Sequence, residues 1–511
     1  MKEFQLYKDL IKSLSPPEIK HLKRKLNVRN QLDIESKSST LLFDAVNNNI
    51  EITLSELYDK LYLKKNEVAI RKLLQRIINK IYDVFFINDL ILGDGGYEDR
   101  TKRIFLLEKR MLLVDLLRYR GLFKLSDQML EEIIVESVKY ECYEVSISAL
   151  NKKRFRSSIS INEKQNTLIE KQIKIIFKLL ISINRCKNIY SILIHLHNKK
   201  PNQYILNSYK KGLDEINFIA KNNSCATLEY YRLLVLTQLC SLKNEDSKAV
   251  NFSLQLIELV ETNVTIYSKN RLGNAYINLA LFYRNLGDFT HSLFYLDKAN
   301  LLLNRISQTL GITYYQFCIF YSLMGNLDKL NYYYRLSSKI DVDLNNQELV
   351  WRYHFLNSFI QFLSFKFENA KLILESIRNN SKDDFNMEFD KKLLCIMINI
   401  ELGEYDECDK LIEVLGKFVT AHIEYLELEN DVQCLVDLLK SLKKAGYNFD
   451  QLKQSTLDLL IVSDSILKYR NHFLIPFTPW FIAKVKNVPY DHTKAMKEMQ
   501  HKIKREKLEL A

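Results

Sequence analysis

Glycine and proline are scarce in this chain, 12 and 6 among 511 residues. Sheet-rich folds need turn residues every ten or so positions, so the scarcity excludes sandwiches and barrels and points to long helices. Long apolar runs are also missing. None reaches the roughly 18–20 residues that span a bilayer, and the nearest, Phe473 to Val485, is broken by Pro476 and Pro479. The eight cysteines contain no C-x-x-C pair and fall mostly inside apolar helical patterns, which favours buried thiols in a reducing compartment over disulfides or metal. The first residues, MKEFQLYKDLIKSLSPPE, have no apolar stretch like that of a signal peptide. A cytoplasmic protein is expected.

Catalytic patterns are lacking too. The nine histidines are scattered, and His195 and His197, two apart, point to different sides of a helix and share no metal. No H-E-x-x-H or G-x-S-x-G occurs. Gly93-Asp94-Gly95-Gly96 is followed by no Gly-Lys-Ser/Thr, so it is a boundary and not a phosphate cradle. The expectation is a non-enzymatic chain with no cofactor and no metal.

What is present is charge and helical periodicity. The net charge of +12 is uneven: residues 151–200 hold twelve Lys/Arg against two Asp/Glu, and residues 381–440 hold six against fifteen. Such asymmetry suits charged partners, or solvated helix faces that keep the protein soluble.

The most regular stretch is RLGNAYINLALFYRNLGDFTHSLFYLDKANLLLNRI, Arg271 to Ile306. Tyr276, Leu279, Ala280 and Tyr283 recur at helical spacing before Asn285-Leu286-Gly287-Asp288, and Phe289, Ser292, Leu293, Leu296 and Ala299 do so after it. Gly287 can adopt positive φ and reverse the chain, and the small Ala280, Ser292 and Ala299 let two helices approach closely. The stretch resembles a tetratricopeptide repeat, departing from it where Ile306 replaces the usual proline. Equivalent turns fall at Asn244, Gly325, Phe365 and Gly403, spaced 43, 38, 40 and 38 residues along the chain, longer than the 34 or so of the standard unit. A small or compact residue follows at one offset, Ala249, Ser292, Ala370 and Cys408, with Leu330 the exception. Leu113, Val114, Leu117, Gly121, Phe123, Ser126, Leu130 and Ile133 repeat the register weakly.

Four sections follow. Residues 1–92 read as a helical head. Ser15-Pro16-Pro17-Glu18 and Thr53-Leu54-Ser55-Glu56 open helices in it, and a polar link covers Asn27 to Ser39. Its last helix puts Ile70, Leu73, Leu74, Ile77, Ile78, Ile81, Tyr82 and Phe85 on one face and Lys72, Arg76 and Lys80 on the other. That outline also suits a nucleic-acid reader, though most basic stripes are simply solvated. Residues 101–208 are a degenerate repeat section with a basic linker at 151–165. The helix beyond that linker carries Ile173, Ile176, Phe177, Leu180 and Ile183 on one side and Lys171, Lys174, Lys178 and Arg185 on another, a face that could meet an acidic partner, a nucleic-acid backbone or an anionic surface. Residues 209–417 hold the repeats, and 418–511 the capping helices and a basic tail. Phe473, Leu474, Ile475, Phe477, Trp480, Phe481 and Ile482 are expected to seal the open end of the array.

The expected fold is therefore all-α: an α-solenoid of tetratricopeptide-like hairpins behind a helical head. In such an array the first helix of each pair lines the inner surface. The register places Asn274, Ile277, Asn278, Leu281, Arg284 and Asn285 there, then Ile312, Tyr315, Gln316 and Ile319, then Arg352, Phe355, Leu356, Phe359 and Phe362. Of these, Asn274, Asn278, Arg284, Tyr315, Gln316 and Arg352 suit an extended protein or peptide partner. Carboxamides pair with its backbone, arginine with a carboxylate, and rings with apolar side chains. Asn278 matches a ligand-gripping position of peptide-binding tetratricopeptide proteins, whose clamp lysines are not evident here. Phe355, Phe359 and Phe362 fit packing between repeats better. The expected function is a scaffold or adaptor. The alternative is a regulator whose head binds DNA or a protein target.

Overall fold

The computed structural model describes residues 2–14, 16–27, 34–49, 52–60, 67–85, 99–159, 163–196, 202–223, 225–303, 308–339, 347–377, 385–423, 429–452 and 477–509. Ser15, Gly93 to Gly96, His197, Ile306 and Phe473 to Ile475 lie outside them. Among the described residues every regular element is a helix, as the shortage of turn residues requires. Residues 1–171 and 172–511 form two compact units, a division that falls within the section 101–208.

In the first unit, α1 (Lys2–Ser13), α2 (Pro16–Asn27), α3 (Ile34–Asn48), α4 (Leu54–Lys60) and α5 (Glu67–Phe85) enclose the head's own core around Tyr7, Leu22, Leu42, Phe43, Ile70, Leu74 and Ile81. The capping box at α4 is reciprocal: Glu56 N–H donates to Thr53 Oγ1 at 3.3 Å, and Thr53 N–H donates to Glu56 Oε2 at 2.7 Å. Two expectations need correction here. α3 begins at Ile34, so the polar link is shorter than Asn27 to Ser39. On α5 the exposed Tyr82 gives its place in the core to Val84.

Three further helices follow: α6 (Asp99–Tyr119), α7 (Phe123–Lys139) and α8 (Tyr143–Ile159). The expected linker at 151–165 is largely the end of α8, and the reason is electrostatic. Lys152 pairs with Asp115 of α6 at 2.6 Å, while Lys153 and Arg156 pair with Glu131 and Asp127 of α7 at 2.6 and 2.5 Å. The basic run is the face that docks α8 onto acidic neighbours. α9 (Glu163–Leu196) continues into the second unit. There it buries Ile176, Ile183, Cys186, Ile189 and Leu193, while Phe177, expected on that side, is half exposed.

The second unit continues as α10 (Asn202–Asn222) and then four hairpins. They are α11 (Ala226–Leu242) with α12 (Asp246–Thr262), α13 (Lys269–Asn285) with α14 (Phe289–Leu302), α15 (Gln308–Leu323) with α16 (Leu327–Ser337), and α17 (Gln347–Leu363) with α18 (Phe367–Ser376). A fifth pairs α19 (Phe385–Leu402) with α20 (Tyr405–His422), before α21 (Glu429–Lys444), α22 (Phe477–Val485) and α23 (His492–Glu509). Each turn is closed the same way. Gly287 N–H donates to Arg284 O and Asp288 N–H to Tyr283 O, both at 2.8 Å, which satisfies two end carbonyls of α13. Positive φ is found at every expected turn residue, Gly121, Asn244, Gly287, Gly325, Phe365 and Gly403, and also at Glu141 and Gly446.

Close approach of the paired helices rests on a second repeated feature. Residues twelve apart, one on each helix, face each other across the turn, and one of the two is small. Ser126 Oγ donates to Val114 O at 2.8 Å, and Ser358 Oγ to Ala370 O at 2.7 Å. Cys318 and Cys408 direct their thiols to Leu330 O and Ile396 O at 3.8 Å. Leu330 is the exception at its offset, and there the small partner, Cys318, stands on the facing helix.

Candidate protein-binding face

The inner-surface register counts back from each turn, so each candidate sits on the first helix of a hairpin. Asn274 and Asn278 lie one helical turn apart on α13, Asn274 exposed and Asn278 half-buried. Near the end of the same helix Asn285 Nδ2 donates to Asp246 Oδ1 at 3.2 Å, tying α13 to the hairpin before it.

The other candidates are used mainly in packing. Arg284 is buried, 2% exposed, and its Nη1 donates to Gln316 Oε1 of α15 at 3.1 Å. Burial pulls its guanidinium down to about 10, so the charge survives at neutral pH. Tyr315 is also buried, and the Arg352 guanidinium of α17 lies over its ring, 5.6 Å from the centroid. Arg284, Gln316, Tyr315 and Arg352 therefore link three successive hairpins. Arg284 and Tyr315 are corrected from open surface to interior, because neighbouring first helices stack closely enough to cover them. Phe355, Phe359 and Phe362 are buried between hairpins, as packing demands.

The C-terminal helices do more than seal the end of the array. Phe481 does meet Phe449, just past α21, with ring centroids 5.3 Å apart. The segment then runs back over earlier hairpins. Trp480 Nε1 donates to Glu401 Oε1 of α19 at 2.7 Å, and Lys484 Nζ pairs with Glu401 Oε2 at 2.6 Å. His492 meets Phe359 of α17 edge-on, and its Nε2 lies 2.9 Å from Ser322 O of α15. Thr493 Oγ1 donates to Gly325 O and Gln500 Nε2 to Leu323 O, each at 2.9 Å. Glu401, Ser322 and Phe359 occupy the register positions of Asn285, Arg284 and Leu281. The first helices of the three later hairpins are thus covered at their C-terminal ends by residues 477–500. The aromatic cluster was visible in the sequence, but its destination was not.

Lys72 and Arg76 are exposed and Lys80 is half-buried, opposite the buried face of α5. In the later helix, Lys171, Lys174 and Lys178 are exposed, whereas Arg185 is committed to Glu215 at 2.5 and 3.0 Å. Among the described residues no group of three His, Cys, Asp or Glu could hold a metal ion, and no helix is long and apolar enough to cross a membrane.

Hairpins closed by left-handed turns, narrowed by small residues and stacked in succession define an all-α protein of tetratricopeptide-like helical repeats. No family model matches the chain, and no curated protein matches it in sequence. Similar solved structures include yeast Tom70, 12% identical over 93% of this chain and 97% of that one, with a TM-score of 0.35. Another is a signal transduction ATPase with numerous domains and a tetratricopeptide repeat sensor from Pyrococcus horikoshii, 14% identical over 86% and 67%, with a TM-score of 0.37. A third is the Cut9-Hcn1 hetero-tetramer of the APC/C, 11% identical over 94% and 92%, with a TM-score of 0.32.

Proposed function

We propose that the chain is a non-enzymatic scaffold or adaptor that holds a protein or peptide along the first helices of its hairpins. The observation that supports this most directly is the division of labour on α13. Its Tyr276, Leu279 and Ala280 are buried, while Asn274 and Asn278 keep exposed or half-exposed carboxamides in the inner-surface register. Carboxamides placed this way can pair with the backbone of an extended chain whatever its side chains. Asn274 and Asn278 are the residues to test. Arg284 belongs to the packing, so its removal reports on stability as well as on binding. Affinity capture with the full chain, compared with an Asn274→Ala/Asn278→Ala double variant of equal thermal stability, is the experiment. A specific partner lost on substitution supports the reading, and equal capture by both chains sinks it.

A second reading is favoured by one observation, the exposed Lys72 and Arg76 on the outer side of a head with its own core. In that reading the head contacts DNA under control of the repeats. Duplex binding that weakens steeply with salt, and is abolished by Lys72→Glu/Arg76→Glu, is the expected signature.

A further inference from the structure

The inner ends of α15, α17 and α19 already hold something shaped like a ligand. We propose that this face is a binding site for a basic amphipathic helical segment with an aromatic cluster, and that residues 477–500 are its resident, displaceable occupant. The proposal rests on the reading that the first-helix face binds protein, and it names the class of partner.

Three observations lead to it. Contacts of the segment fall on the register that would face a partner, at Ser322 O and Leu323 O at the end of α15, Phe359 on α17 and Glu401 on α19, and on the adjoining turn carbonyl of Gly325. Each hairpin beneath also closes its own turn, at Gly325, Phe365 and Gly403, and its own facing pair, Cys318 with Leu330, Ser358 with Ala370 and Cys408 with Ile396, without a contribution from the segment, whose Phe477, Trp480 and Phe481 add to the core the hairpins share. Finally, the chemistry is that of recognition. The site offers helix-end carbonyls and one carboxylate above an apolar floor. The occupant answers with side-chain donors from Trp480, Thr493 and Gln500, a cation from Lys484, and the buried rings of Phe477, Trp480 and Phe481. Helix-end carbonyls lack a partner in a following helical turn and have room for a donor-bearing segment; Ser322 O takes His492 in addition to its turn bond from Gly325 N–H. An acidic or carboxylate-ended peptide would meet Glu401 and those carbonyls with the wrong sign.

A tethered occupant acts at an effective concentration of order millimolar, so a free partner must compete with it. A fluorescent peptide of residues 477–500, added to the full chain, is the probe. Weak binding to the wild type and binding at least tenfold tighter to a folded Lys484→Glu chain are expected, because the tethered copy is then the poorer ligand. A Glu401→Lys chain should prefer a peptide carrying Lys484→Glu over the natural one. Hydrogen exchange on the unaltered chain guards against a variant that merely unfolds: amides of 477–500 should exchange as a group at least tenfold faster than those of α15, α17 and α19. Exchange of the segment only together with those helices would overturn the proposal. So would an unchanged peptide affinity in folded Lys484→Glu, or a Lys484→Glu chain that fills the site by dimerising through exchanged segments. None of these variants touches Asn274 or Asn278, so partner capture on α13 stands or falls separately.

Discussion

Phe365 and Glu141 hold a backbone conformation that favours glycine, with φ of 59° and 53°. The turn survives there because its two backbone bonds and the packing of the flanking helices outweigh a local cost of about 1 kcal/mol. At Gly403 the φ is 73° and an added Cβ would meet no atom within 4 Å, so only backbone strain opposes a side chain. Gly403→Ala should therefore destabilise the chain by about 1–2 kcal/mol in chemical denaturation. Asn244→Gly should change stability by only a few tenths, because asparagine tolerates the left-handed region. The facing pairs make a sharper test. Cys318→Leu places two leucines across one close approach and should cost about 1–3 kcal/mol. Adding Leu330→Ala to it should recover much of that loss, although Leu330→Ala alone removes a buried leucine and costs about 2–5 kcal/mol. A double-mutant cycle with a large coupling confirms that the two sites share one space, and simple additivity refutes it.

Among the elements, α23 is attached through a titratable group. His492 begins it, buried against Tyr490 and the end of α15, and burial holds its imidazole down to about 4, against a backbone bond to Ser322 and the nearby Asp491 that favour the charged form. The docked imidazole is neutral, whereas a released one takes a proton near pH 6.5. Docking is therefore at full strength above pH 6.5 and weakens as pH falls toward 4, by up to roughly 3 kcal/mol. Hydrogen exchange of residues 477–500 should accelerate over that window, and His492→Gln should flatten the dependence. An exchange rate independent of pH, after correction for intrinsic chemistry, would show that another contact governs attachment. The α8 face gives a contrasting expectation. Its pairs with Asp115, Asp127 and Glu131 leave the carboxylates about half exposed, so Lys152→Ala should shift stability by no more than about 1 kcal/mol.

For the whole molecule, the two functional readings separate by salt and by sequence dependence. Partner capture through Asn274 and Asn278 depends on carboxamide hydrogen bonds and should persist at moderate ionic strength. Binding of a DNA duplex through Lys72 and Arg76 should fall steeply between low and moderate salt, the slope shrinking when both are replaced by glutamate. A partner that resists salt and is lost on Asn274→Ala/Asn278→Ala favours the scaffold. Salt-sensitive duplex binding lost on substitution of the head favours the regulator.

Helix periodicity, the rarity of glycine and proline, and one near-regular unit at 271–306 were enough to give the fold class and every turn named from the sequence. These are local properties: spacing sets an amphipathic face, and a left-handed residue ends a helix wherever it stands. The turn at Glu141 went unseen because glutamate there carries no local sign of positive φ. Which inner-register residues stay open depended on tertiary structure. Spacing places Arg284 about 120° around α13 from Asn278, on the flank shared with Ile277, and the approach of α15 buries that flank while Asn278 stays partly open. Likewise the cluster Phe477, Trp480 and Phe481 announces that it must be covered, but apolar burial has no direction. The destination of the segment, on α19 through Glu401 and on α15 through its end carbonyls, was decided by groups about 80 and 170 residues away in the chain.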